Sequence, residues 1–315
     1  MLNPESLAVV DSFDGLRDFV AANPDAEVAL RIAYDKTLRD GAAKSVAQFP
    51  ELERVAALEI VNSLDPKALK ALLRSPFLTR VRALCLDSNY VHDTGTKALA
   101  GWKPLARVTH LQLSGIGLSG SGFKALLGSE HLDALTHLDL AHNNLKAGQV
   151  KSLATHPLAA RLSMWRLDHN EMGDSGVKAI AGSPLMRTSD VFRLEGVSMK
   201  KSGLKSLLAS EAVGDLRDFS IAGNHGLGDQ GLALLGKATQ LSGLRKLELV
   251  GTGLGDATAD VLAGAAHFSG LDELRVDNGG GLTDAGMDRL LSSPYVGSAV
   301  RRGNEAFAAA AAAAG

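Results

Sequence analysis

From about residue 50 to residue 295 the apolar positions of this chain recur in a two-part rhythm. A short run alternates apolar and polar residues, as in LTHLDL from Leu135, and a longer one spaces its apolar residues at three and four, as in GVKAIAGSPL from Gly176. The first spacing predicts a half-buried strand and the second an amphipathic helix. Stacking VRALCLDSNYV, VTHLQLSGIGL, LTHLDLAHNNL and LRKLELVGTGL shows that the units keep register. The central apolar position falls at Leu58, Leu84, Leu111, Leu138, Trp165, Phe192, Phe219, Leu247 and Leu274, a period of about 27 residues. Alternation then sends Leu138 and Leu140 inward and His137, Asp139 and Ala141 outward.

The unit L-x-x-L-x-L-x-x-N-x-L followed by a helical half resembles the ribonuclease-inhibitor type of leucine-rich repeat. The resemblance implies an α/β solenoid of about nine repeats over residues 49–297, a horseshoe with a parallel concave β-sheet and convex helices. Strands stacked about 4.8 Å apart and helices needing about 10 Å give the expected curvature. The motif's asparagine is met at Asn89, Asn143, Asn170 and Asn224, where a buried amide satisfies backbone groups. Ile116, Val197, Thr252 and Gly279 depart from it, so an interrupted ladder is expected.

Asp93, Asp174, Asp229, Asp256 and Asp284 stand where N-caps of the repeat helices are expected, with glycine two residues on in most units. Lys70, Lys97, Lys124, Lys151, Lys178 and Lys205 share one helix position in successive repeats. Pairing at i,i+4, Asp93 with Lys97 and Asp174 with Lys178, explains part of this ladder as a solvated face. The other reading is a basic ridge that recruits an acidic partner.

End repeats need caps. Residues 1–48, with Leu16, Phe19, Val20, Leu30, Ile32 and Leu38 read at helical spacing, are expected to form a helical N-terminal cap. Asn23-Pro24-Asp25, Arg31, Tyr34, Leu38 and Gly41 resemble a short repeat-companion domain found before leucine-rich repeats in some bacterial proteins. That family has Tyr-Ala-Asp-Trp where this chain has YDKT, and no activity is carried over. Residues 298–315, ending EAFAAAAAAAG, are expected to be a low-complexity tail that leaves the last repeat weakly capped, blunted only by Arg301, Arg302 and Glu305.

Composition narrows the field. A hydrophobic share of 45% and a net charge of -2 fit an ordinary soluble domain and argue against a bulk nucleic-acid binder. Cys85 is the only cysteine, so an intrachain disulfide is impossible, which fits a reducing compartment. The start, MLNPESLAVVDSFDGLRDF, lacks a secretory pattern and no apolar run reaches the roughly 18 residues of a membrane helix, so a cytoplasmic setting is expected.

His137, Asp139 and His142 spell H-x-D-x-x-H. On a strand the first two face outward about 7 Å apart, while His142 sits past the strand end. His110 shares a column with His137, and His169 one with His142, so the pattern predicts a cross-strand patch rather than a local metal motif. Ser114 lies near His110 and His137 in projection without an orienting acid. The glycine runs VGTGLG and DNGGGL sit where strands turn and are read as turning points, not phosphate loops. Trp165, Phe192 and Phe219 take inward positions and are expected in the core.

Met164, Arg166, Asp168, Arg193 and Glu195 project beside the histidines, and with His137 and Asp139 form the expected partner-binding face. The expected function is a non-enzymatic scaffold that binds another protein on its concave sheet, with no cofactor, metal or membrane partner and no stacking platform for nucleic acid. The alternatives are a regulator of a small GTPase, because GTPase-activating proteins of the Ran type use a similar repeat, and a metal-dependent enzyme built on the histidine patch.

Overall fold

The computed structural model describes residues 7–35, 38, 41–187, 190–277, 281–303 and 305. Two compact units divide the chain: residues 1–145 with 156–167, and 146–155 with 168–315.

In the first unit a seven-stranded parallel sheet runs in chain order through β1 (Ala8–Val10), β2 (Val28–Ala33), β3 (Val55–Val61), β4 (Ala83–Cys85), β5 (His110–Gln112), β6 (His137–Asp139) and β7 (Met164–Arg166). Register partners Leu58, Leu84, Leu111, Leu138 and Trp165 follow one another across it. Helices α1 (Phe13–Ala22), α2 (Ala43–Val46), α3 (Pro66–Leu72), α4 (His92–Ala100) and α5 (Gly120–Leu127) connect the strands.

In the second unit β8 (Val191–Arg193), β9 (Asp218–Ser220), β10 (Lys246–Glu248) and β11 (Glu273–Arg275) form a four-stranded parallel sheet with Phe192, Phe219, Leu247 and Leu274 in register. Its helices are α6 (Ala147–Thr155), α7 (Gly173–Ala181), α8 (Lys201–Leu208), α9 (Gly228–Leu232), α10 (Asp256–Ala263) and α11 (Asp284–Ser292). Phe192 and Phe219 are buried with ring centroids 6.0 Å apart, whereas Trp165 in the first unit is only half-buried.

The N-terminal segment is only in part the helical cap expected from its apolar spacing: Leu16, Phe19 and Val20 lie on α1, but the residues after it form a strand. Leu30 and Ile32 lie on β2, and Leu30 pairs with Leu58 as if it opened the repeat series. Val28, Leu30 and Ile32 stand two apart, the period of a strand, the first and last of them β-branched, and their burial beside β3 decides the matter. Of YDKT, Lys36 and Thr37 lie outside the described residues.

The C-terminal edge also differs from expectation. A helix over 297–303, α12, follows α11, with Val296, Ala299 and Val300 fully buried. Arg302 donates from Nη2 to the Leu271 carbonyl at 3.1 Å and from Nε to the Asp272 carbonyl, and Gly303 lies tight against the Leu274 carbonyl. Apolar side chains and backbone acceptors next to β11 therefore order residues that look like tail in sequence, where residues 306–315 lie outside the described set.

The helix N-termini are wired between repeats. Asp93 Oδ1 accepts from Ser119 N at 2.7 Å, at the N-cap of the following helix α5, and Oδ2 accepts from the Ser119 and Ser121 hydroxyls. Asp174 serves Lys200 N and Ser202, Asp229 serves Gly255 N and Thr258, and Asp256 serves Thr283. The expected self-capping is thus corrected at these four residues, and Thr283 rather than Asp284 caps α11. Each acid sits inside the first turn of its own helix, past the Ncap position, and the adjacent repeat offers the open amides.

Asparagine works in the opposite direction. Asn89, Asn143 and Asn224 reach back into the preceding repeat, Asn224 Oδ1 accepting from Val197 N at 3.1 Å and Met199 N at 2.9 Å. In the repeats that lack the asparagine, at Ile116 and Val197, the next asparagine serves Leu118 N and the Leu113 carbonyl, and Val197 N and the Leu194 carbonyl.

Candidate functional site

His110 and His137 are direct register partners on β5 and β6, and their rings stack at 3.9 Å with planes 18° apart. Each Nδ1 lies 2.9 Å from the hydroxyl of the preceding threonine, Thr109 or Thr136. Those hydroxyls already donate to the carbonyls of Arg82 and Thr109. With its one proton so used, each hydroxyl must accept from Nδ1–H, which leaves both Nε2 atoms as acceptors. Burial lowers the affinity of both rings for a proton, and at His110 the facing His137 lowers it further. The pair is thus a neutral, half-buried platform with two open lone pairs.

Beside it stands Met164, the register partner of His137, and Arg166, the partner of Asp139. Arg166 Nη1 donates to Asp139 Oδ2 at 3.2 Å, while Asp139 Oδ1 accepts from Ala141 N at 2.9 Å. Asp139 is only 3% exposed and Asp168 only 2%, so neither belongs to the open face on which both were expected. Asp168 Oδ1 accepts from Glu195 N at 3.1 Å. Amides at the strand exits draw these carboxylates inward, a pull that outward alternation alone does not register. Asp87 does the same for Ser114 N at 2.7 Å, and burial pushes its carboxyl up.

In the second unit Arg193 pairs with Asp218 at 3.0 Å across β8 and β9, and Arg275 with Glu248 at 3.7 Å across β11 and β10. Lys246 and Glu273 add another cross-strand pair at 3.4 Å. Burial pushes the Glu248 carboxyl up. This face is a mesh of neutralised charge, while the histidine face of the first unit carries open acceptors.

His142 and His169 have φ of 53° and 55°, in the left-handed region that Ser88, Gly115, Gly196 and Gly223 also take past their strands and that Gly251 supplies in VGTGLG. In DNGGGL, Asn278 to Gly280 lie outside the described residues. Among the described residues no three His, Cys, Asp or Glu side chains gather closely enough to hold a metal ion. Burial pushes the Cys85 thiol up to about 12, which removes it as a nucleophile at neutral pH.

All six lysines of the helix column are exposed. The expected pairs of Asp93 with Lys97 and Asp174 with Lys178 do not form among the described residues, because both acids turn to the next repeat. No helix of the described residues is long and apolar enough to cross a membrane.

A family model described as Leucine Rich repeat matches residues 134–154 and 162–181. Among solved structures the chain is similar to one of the Rad7 and Elc1 complex in yeast, at 15% identity and a TM-score of 0.51, over 89% of this chain and 74% of that one. It is also similar to an internalin, inlF, from Listeria monocytogenes, at 20% identity and a TM-score of 0.45, over 84% and 76%. No curated protein matches. At such identities the yeast likeness speaks for the fold alone, and it agrees with strands and helices that alternate through in-register repeats. Residues 134–154 and 162–181 match the leucine-rich-repeat model, and the strands before and after them keep the same register within each unit.

Proposed function

We propose that this chain is a non-enzymatic scaffold that recognises another protein through outward side chains of its strands. The observation that carries the reading is the stacked pair His110 and His137, whose open Nε2 acceptors sit beside the half-buried Met164 on a rigid sheet. A partner that donates hydrogen bonds and offers an apolar side chain would gain there without ordering a loop. Arg193 and Glu195 are the proposed contacts of the second unit. The titratable groups of the face are held by structural partners: each Nδ1 by a threonine, Asp139 and Asp168 by backbone amides. The yeast chain of similar fold, Rad7, is described in complex with Elc1, and an analogous use as a binding surface is proposed here.

The test compares what is retained from a lysate of the native source by the unaltered chain, by Met164→Glu and by Lys151→Glu/Lys178→Glu. A protein held by the first and third but lost with Met164→Glu supports the reading. Loss only with the lysine variant moves the partner to the helices and rejects it.

A further inference from the structure

A second surface lies in the first unit, on residues the histidine face does not use. Glu27, Thr79, Arg80, Arg82, Lys103 and Arg107 line an open depression of about 830 Å³. It adjoins another of about 430 Å³ that shares Lys103 and Pro104 and adds Lys70, Arg74, Leu73 and Trp102. Six cations thus face one acid. Glu27 is spent on Arg82, receiving both Nη atoms at 3.0 and 2.5 Å. Arg80, Lys103, Arg107, Lys70 and Arg74 have no ion pair among the described residues.

Cations near helix C-termini have an ordinary structural use, and Lys70 and Arg74 at the end of α3 fit it. Arg80 and Arg107 hold one repeat position, shared with Arg54 and Arg161, but Arg54 pairs there with Asp25 and Arg161 with Asp133, whereas Arg80 and Arg107 have no ion pair among the described residues. One unit on, the positions of Lys103 and Arg107 are held by Glu130 and Ala134, so the concentration of charge is local. Unpaired like charges around one depression repel, and an anion placed between them relieves that repulsion.

We infer that this double depression binds an acidic peptide segment of a partner protein, carboxylates against Arg80 and Arg107 and an apolar side chain against Leu73 and Pro104. The guanidinium fork matches a carboxylate in two hydrogen bonds, and the Glu27 pair holds Arg82 ready at the rim. Nucleic acid fits less well. The one aromatic ring in the lining, Trp102, is 5% exposed and offers no face for a base, and a chain of net charge -2 exerts no general pull on a polyanion.

The experiment measures fluorescence anisotropy of a short labelled peptide of alternating Glu and Leu, and of an oligothymidine of equal length, at about 150 mM salt. Arg80→Gln/Arg107→Gln is compared with Lys151→Gln/Lys178→Gln, which removes equal charge from the second unit. No side chain of either pair makes a hydrogen bond or ion pair among the described residues, whose backbone bonds at Lys151 and Lys178 the substitutions leave in place, and folding is checked by an unchanged circular-dichroism melt. We expect peptide binding that weakens about tenfold in the arginine variant and stays within about twofold in the lysine variant. No peptide binding, equal losses in the two variants, or tighter binding of the oligothymidine would overturn the inference. None of these outcomes bears on Met164, so the two surfaces stand or fall separately.

Discussion

The Asp93 carboxylate lies against Gly122 of the following repeat, so close that a Cβ there would stand 2.5 Å from Oδ1. Asp174 meets Gly203 in the same way at 2.6 Å, and Asp256 meets Gly286. Acid and glycine are two halves of one joint: the missing side chain makes room for the carboxylate that closes the helix start.

Gly122→Ala should therefore cost about 1–2 kcal/mol, the worth of a good cap, and Asp93→Ala a similar amount. The double variant should lose clearly less than the sum, because each change breaks the same joint. Urea unfolding of the four proteins checks it, and additive losses would mean that the two residues act independently.

The same joint has an acid limit. Partial burial raises the Asp93 carboxyl, but hydrogen bonds from Ser121 and Ser119 outweigh it and hold the group down at about 2. A depressed folded value means that the contribution is complete above the ordinary range near 3.8 and is lost as pH falls toward about 2. The stability of Asp93→Asn should converge with that of the unaltered chain over that window, measured by thermal melts at stepped pH.

For His110 and His137 the lowered folded values mean that the unfolded chain takes up protons first on acidification. Stability should fall as pH drops below the ordinary value of 6.5 toward the lower folded values, and His110→Gln/His137→Gln should flatten that slope. Proton NMR titration of the imidazole signals reports the values directly; two rings titrating above 6.5 would contradict a neutral stack.

Arg166 matters to the fold as well as to the face. Its removal takes a counter-charge from the buried Asp139, so Arg166→Ala should destabilise by about 1–3 kcal/mol, and Asp139→Ala by a similar amount because Ala141 N loses its acceptor. Denaturant midpoints test this, and a change under about 0.5 kcal/mol at both sites would make the pair ornamental.

Val300→Asp should cost about 2–4 kcal/mol and speed hydrogen exchange in β11, since it drives a charge under α12 where the side chain is fully buried. Unchanged protection at Glu273 to Arg275 would show that α12 is not the cover of that edge.

Period and register were legible without coordinates, because burying one face of each short strand forces apolar residues to recur at fixed intervals. Leu58 through Leu274 stand as strand partners within each unit as the stacked segments require. The column that brings His110 to His137 follows from the same register. What needed tertiary structure was the destination of the polar groups. Asp93 in sequence looks like a cap for its own helix, yet the open amides within reach belong to the next repeat. Asp139 and Asp168 alternate outward but bend to buried amides, and the threonines that hold the histidine rings are named by no motif. Leu30, Ile32 and Val300 sit in runs too short to declare a period, so the neighbouring strand or edge decided whether they became sheet or cover. Hydrophobic burial is a one-chain periodicity and can be read along the chain; hydrogen-bond satisfaction is a contest among spatial neighbours, and only the folded arrangement names the partners.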